Sequence, residues 1–143
     1  PLTGPIYLHD HRPKCGDEIN IIKKGANYGW PVVTYGIDYD GTTISKENEK
    51  PGIEKPIYYW LPSIAPSGMA FVSSDKYPDW KDHLLVGSLK FQYLELVQLE
   101  GNTVIGRQKI ATDIGRVRNV VQAPDGFIYM GVEGKGIVKI IPN

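Results

Sequence analysis

"HLLVGSLKFQYLELVQLE", residues 83–100, decides the fold. Two short apolar runs, His83–Leu89 and Tyr93–Leu99, flank a brief polar interruption at Lys90. The second run alternates apolar and polar residues, as a strand with one covered face requires. The same plan recurs in "GFIYMGVEGKGIVKIIP", residues 126–142: a strand ending in a small residue, a turn, then an alternating strand. A further apolar run precedes each copy, "SGMAFVSS" at 67–74 and "RVRNVVQAPDG" at 116–126. The repeat spacing is roughly 45–50 residues, the period of a four-stranded propeller blade.

Similar runs lie outward from these copies. They are Ile6–Leu8, Glu18–Ile22, Ile57–Trp60, Met69–Val72, Val104–Ile110, Val117–Gln122, Phe127–Val132 and Gly136–Ile141. Gly, Pro, Asp and Asn punctuate them, and helical periodicity is almost absent. "APDG" at 123–126 is a turn with a mechanism, because Pro presets φ and Gly accepts a positive φ. The class is all-β. Residues 67–112 hold four strands, 116–142 hold three, and 5–60 hold strands two to four of a blade lacking its first. About two and a half four-stranded antiparallel blades fall short of the four to eight of a closed propeller. The expectation is therefore that residues 1–143 are the C-terminal part of a single β-propeller domain whose N-terminal blades are absent. A complete small β-sandwich is the alternative.

The chain of 143 residues carries 16 basic and 16 acidic side chains, a balance that gives no reason to expect nucleic acid as a partner. No apolar run is long enough to span a bilayer. Cys15 is the sole cysteine, which excludes an internal disulfide framework and a multi-cysteine metal site.

Two stretches ask for a ligand. "GRVRNVV", residues 115–121, reads as a strand, yet Arg116 and Arg118 stand two apart and so share a side. Two adjacent guanidiniums need an anion between or in front of them. Residues 23–55 are a long interruption rich in Gly, Asn, Asp, Lys and Tyr, with Tyr28, Trp30, Tyr35 and Tyr39 within it. Loops of such length are usually functional. These aromatics either pack over a propeller end or stack against a flat or sugar-like ligand.

"GDEINIIKKGANYGWPVVTYGIDYDG" (16–41), "PSIAPSGMAF" (62–71), "VGSLKFQYLELVQLEG" (86–101) and "IGRVRNVVQAPDGFIYM" (114–130) together resemble the PQQ-dependent aldose sugar dehydrogenases of the glucose/sorbosone dehydrogenase family. The resemblance implies a six-bladed β-propeller that oxidises aldose sugars at the anomeric carbon to lactones. It implies PQQ as hydride acceptor, calcium as a second cofactor, an electron acceptor that reoxidises the quinol, and a periplasmic or secreted location. By that resemblance Tyr39, Lys90, Arg116 and Arg118 bind PQQ, whose three carboxylates suit three cations. Glu18 and the Tyr28 carbonyl match family positions for a structural calcium, a hard ion that prefers oxygen ligands. The family's base histidine has no counterpart in this chain, and His9, His11 and His83 are expected to be structural or at the surface. "DHRPKCGDE" (10–18) departs from the family pattern, with Arg12 and Cys15 in place of glycines. Such a chain is expected to associate with its missing N-terminal half or with copies of itself. The competing function is a non-catalytic β-propeller binding module of the same lineage.

Overall fold

The computed structural model describes residues 4–12, 16–38, 40–47 and 49–142. Ten strands form three antiparallel sheets, and no α-helix occurs among the described residues. Among the described residues no helix is long and apolar enough to cross a membrane. The chain divides into two compact units, 1–64 and 65–143.

In the first unit β1 (Ile6–Asp10), β2 (Asp17–Ile22) and β3 (Tyr58–Trp60) form a sheet in that order. Ile19 and Trp60 are fully covered. Both carboxylate oxygens of Asp17 are used by backbone: Oδ1 accepts from Arg12 N at 3.0 Å and Oδ2 from Ile64 N at 2.8 Å. Gly16 has φ +91°, and a Cβ there would lie 2.7 Å from Gly36 N, so the chain needs glycine where the long loop crosses. That loop is anchored back to β2: Ile57 N donates to Ile19 O, and the Tyr28 hydroxyl donates to Ile21 O while accepting from Lys23 N.

In the second unit β4 (Pro66–Phe71), β5 (Leu84–Ser88), β6 (Leu94–Glu100) and β7 (Thr103–Ile110) form a meander. β8 (Val117–Gln122), β9 (Ile128–Val132) and β10 (Gly136–Ile140) form a second. Every strand expected from the sequence is present, with shifts of a few residues at the ends. The four-and-three strand count of this unit is the expected one, and "APDG" is a turn: Gly126 has φ +80° and its N–H donates to Ala123 O.

One core joins the two sheets of this unit. Val72, Leu85, Leu94 and Leu96 come from the first, and Val117, Val120, Ile128, Met130 and Val132 from the second. Each such side chain contributes roughly 1.5–3 kcal/mol when fully buried. Tyr77, in the β4–β5 connection, reaches across to the three-stranded sheet. Its hydroxyl donates to Ile140 O at 2.6 Å and accepts from Ile128 N at 3.1 Å. Tyr77→Phe leaves both groups without that partner, and Ile128 is wholly buried. Such losses cost about 1–3 kcal/mol. A lower urea midpoint with an unchanged m value is the expected result; an unchanged midpoint would show the hydroxyl to be dispensable.

Candidate functional site

One end of the second unit gathers the cations. β5 ends and β8 begins side by side there, because a Cβ on Gly87 would touch the Val117 side chain at 2.6 Å. Ser67 Oγ sits on the carbonyls of both Gly87 and Val117, stitching the strands together. β9 ends at the same place, with Val132 opposite Val117 and Glu133 N donating to Arg116 O at 2.9 Å. The topology therefore places Lys90, just past β5, at the same end as Arg116, Arg118 and Glu133.

The anion between the arginines is Glu133. Arg118 Nε donates to Glu133 Oε2 at 2.9 Å, its Nη2 donates to the same oxygen, and Arg116 Nε lies 3.7 Å from it. All three side chains are about half exposed, at 46%, 51% and 48% for Arg116, Arg118 and Glu133. An ion pair so exposed to water contributes roughly 0–1 kcal/mol. Sequence alternation correctly puts the arginines on one side. It misses a bulge between Val117 and Asn119, which leaves Arg118 and Asn119 exposed in succession and returns Val120 to the core.

Lys90 lies in a tight turn. Ser88 Oγ accepts from Phe91 N at 3.0 Å, Gln92 adopts φ 57°, and the Lys90 ammonium lies 5.2 Å from the Phe91 ring centroid. Tyr39, the fourth expected cofactor residue, lies outside the described residues. His83 is structural, its Nδ1 accepting from Leu99 N at 3.2 Å.

The described aromatics of the long loop meet protein. Tyr35 stacks on Tyr59 with centroids 4.1 Å apart, and Trp30 lies under the Arg12 guanidinium at 5.1 Å. Tyr35 and Tyr59 border an open cleft of about 520 Å³ with Glu49 and Lys55.

Glu18 is buried on β2, but the residues around it do not fit calcium. Its Oε2 already faces two donors, Arg12 Nη2 at 3.1 Å and Asn20 Nδ2 at 3.2 Å. Burial pushes its carboxyl up, opposed by the Arg12 charge and the Asn20 bond. The Tyr28 hydroxyl donates to Ile21 O on β2, a bond separate from the Tyr28 carbonyl expected to face calcium. Among the described residues no cluster of three His, Cys, Asp or Glu side chains is arranged to hold a metal. Arg12 is the residue that sequence reasoning passed over. It stands where the family pattern has a glycine, yet it is buried at the centre of this polar cluster.

The family model for glucose/sorbosone dehydrogenase matches residues 1–139. Aldose sugar dehydrogenase YliI of Escherichia coli is 44% identical over 133 residues, covering 91% of this chain and 36% of that protein. An uncharacterized protein of Synechocystis is 34% identical over 131 residues, 91% of this chain and 32% of its own length. The chain thus spans about a third of these curated relatives. A glucose dehydrogenase crystal structure superposes with a TM-score of 0.91 at 39% identity, covering 98% of this chain and 42% of the other. The Streptomyces coelicolor aldose sugar dehydrogenase in its PQQ-bound form shares the fold, at TM-score 0.64, 23% identity, and coverage of 93% of this chain and 38% of that one. The sheets are accordingly blades of a β-propeller, and this chain belongs to the glucose/sorbosone dehydrogenase family.

Proposed function

We propose that this chain is the C-terminal part of a six-bladed quinoprotein that oxidises aldose sugars at the anomeric carbon to lactones with PQQ. One observation carries the reading: two guanidiniums converge on a half-exposed carboxylate, with Lys90 at the same sheet end. A resident carboxylate held so weakly is exchangeable for a ligand carboxylate. An arginine fork can give a carboxylate two parallel hydrogen bonds, and each charge-assisted bond adds about 1.5–3 kcal/mol. PQQ presents three carboxylates on a rigid plane, so three cations at one end both hold and orient it.

When bound, PQQ supplies the two-electron acceptor that no side chain offers. The chain's own part is electrostatic. Lys90, Arg116 and Arg118 fix the anionic rim, and their positive field favours the more anionic reduced form. The family's base histidine is not among this chain's residues, so the chain would supply cofactor grip and only part of the active site. The aldose, the electron acceptor and a periplasmic or secreted setting belong to the same reading, as does completion of the ring by N-terminal blades or by another copy.

The test is a PQQ titration of the intact protein, followed by absorbance and by aldose-dependent dye reduction. Saturable binding with sugar-dependent turnover is expected. A protein that ignores PQQ would instead be a binding propeller whose arginines serve another anion.

A further inference from the structure

The register of the first sheet sets two carboxylates against each other. Asp10 on β1 is directly opposite Glu18 on β2. Like charges in that position are destabilising. Asp17, fully buried, is adjacent. Glu18 is buried and Asp10 is partly exposed, so the opposed pair is only half open to water and needs a cation beside it.

We propose that Arg12 is that cation: a side chain of the protein stands where a divalent metal would otherwise sit, and it closes the cluster to metal. The Arg12 side chain is 3% exposed. Its Nε donates to Asp10 Oδ2 at 2.7 Å and its Nη2 lies 3.1 Å from Glu18 Oε2, so one guanidinium bridges the opposed pair. Its backbone N–H binds Asp17 Oδ1 at 3.0 Å, and the Trp30 ring covers its face. Guanidinium suits burial better than ammonium because it is planar and weakly hydrated. Two polar atoms remain over, Arg12 Nη1 and Asn20 Oδ1, both buried and without a hydrogen-bond partner among the described residues. The second belongs to the amide whose Nδ2 donates to Glu18 Oε2 at 3.2 Å. Removing the guanidinium would leave Asp10 Oδ2 and Glu18 Oε2, the two oxygens it bridges, facing a vacated volume, and carboxylate oxygens are the hard donors that calcium takes.

The inference is independent of the cofactor reading. Calcium stoichiometry and thermal midpoint are measured on the intact protein without PQQ, for the unsubstituted chain, Arg12→Gly and Arg12→Lys. Arg12→Gly is expected to bind about one more calcium ion per chain than the unsubstituted protein, and its midpoint to rise by several degrees with calcium. Arg12→Lys, which keeps a charge, is expected to gain no ion. Equal stoichiometry in the unsubstituted and Arg12→Gly proteins overturns the proposal. Should Arg12→Gly fail to fold, Glu18→Gln decides: an unchanged calcium count relative to the unsubstituted protein supports an arginine-filled site, and loss of one ion overturns it. Failure of PQQ binding would leave these outcomes untouched.

Discussion

Gly68→Ala is expected to destabilise the second unit by about 3 kcal/mol or more, at the upper end of the usual cost of overpacking. A Cβ at Gly68 would lie 2.2 Å from Val120 N, 2.5 Å from Asn119 Cα and 2.6 Å from Asn119 C. All three are backbone atoms of the neighbouring sheet, so no side chain can swing aside. β4 and β8 would have to separate, and the core on either side of them would open. Gly131 is the control. It too lies in a strand of this unit, but its added Cβ would approach nothing closer than 3.8 Å. Gly131→Ala should be neutral or slightly stabilising, since alanine loses less backbone entropy in a strand. Urea unfolding of both variants checks this. Equal midpoints would mean that β4 and β8 are not held at backbone contact. Because β8 carries Arg118, the Gly68 variant should also bind anions less well even when folded.

Much of this architecture was legible from residue order. Alternation and turn residues placed all ten strands, because a blade is built from local hairpins whose punctuation is local. The grouping into four and three strands followed from a repeat that any blade must obey. Features set by register were not legible. Glu133 is 15 residues from Arg118, and only the β8–β9 pairing brings it to the guanidiniums. The bulge at Arg118 has no signature in residue type. Arg12 was hidden for the same reason: "DHRPKCGDE" reads only as a departure from the family pattern until the β1–β2 register sets Asp10 opposite Glu18 and calls for a cation between them. A clue was present in the spacing, since an arginine among carboxylates at 10, 17 and 18 is the local counter-charge. Nothing in the sequence said that it was buried.

The arginine pair yields the second large effect, and its sign differs between partners. Arg118→Ala removes the guanidinium that makes the closer contact with Glu133, and with it the one best placed to bind a ligand carboxylate. Loss of one charge-assisted contact of roughly 1.5–3 kcal/mol weakens PQQ binding by about 10- to 150-fold. Arg116→Ala should cost less, because Arg116 Nε stands 3.7 Å from the shared carboxylate oxygen and its donor geometry is looser. Glu133→Gln should do the opposite. Without a ligand Glu133 neutralises both cations, and an incoming carboxylate must displace it. Glutamine keeps the shape but removes the charge, so the affinity for PQQ should rise several-fold and become more salt-dependent as two uncompensated cations face solvent. Folding should hardly change, since all three side chains are half exposed and the resident pair contributes at most about 1 kcal/mol. Titrations at low and high salt on the three variants separate the readings. Weaker binding in Glu133→Gln would make the carboxylate a support that aims the arginines rather than a placeholder for the ligand. Unchanged binding in Arg118→Ala would remove the pair from the cofactor site altogether.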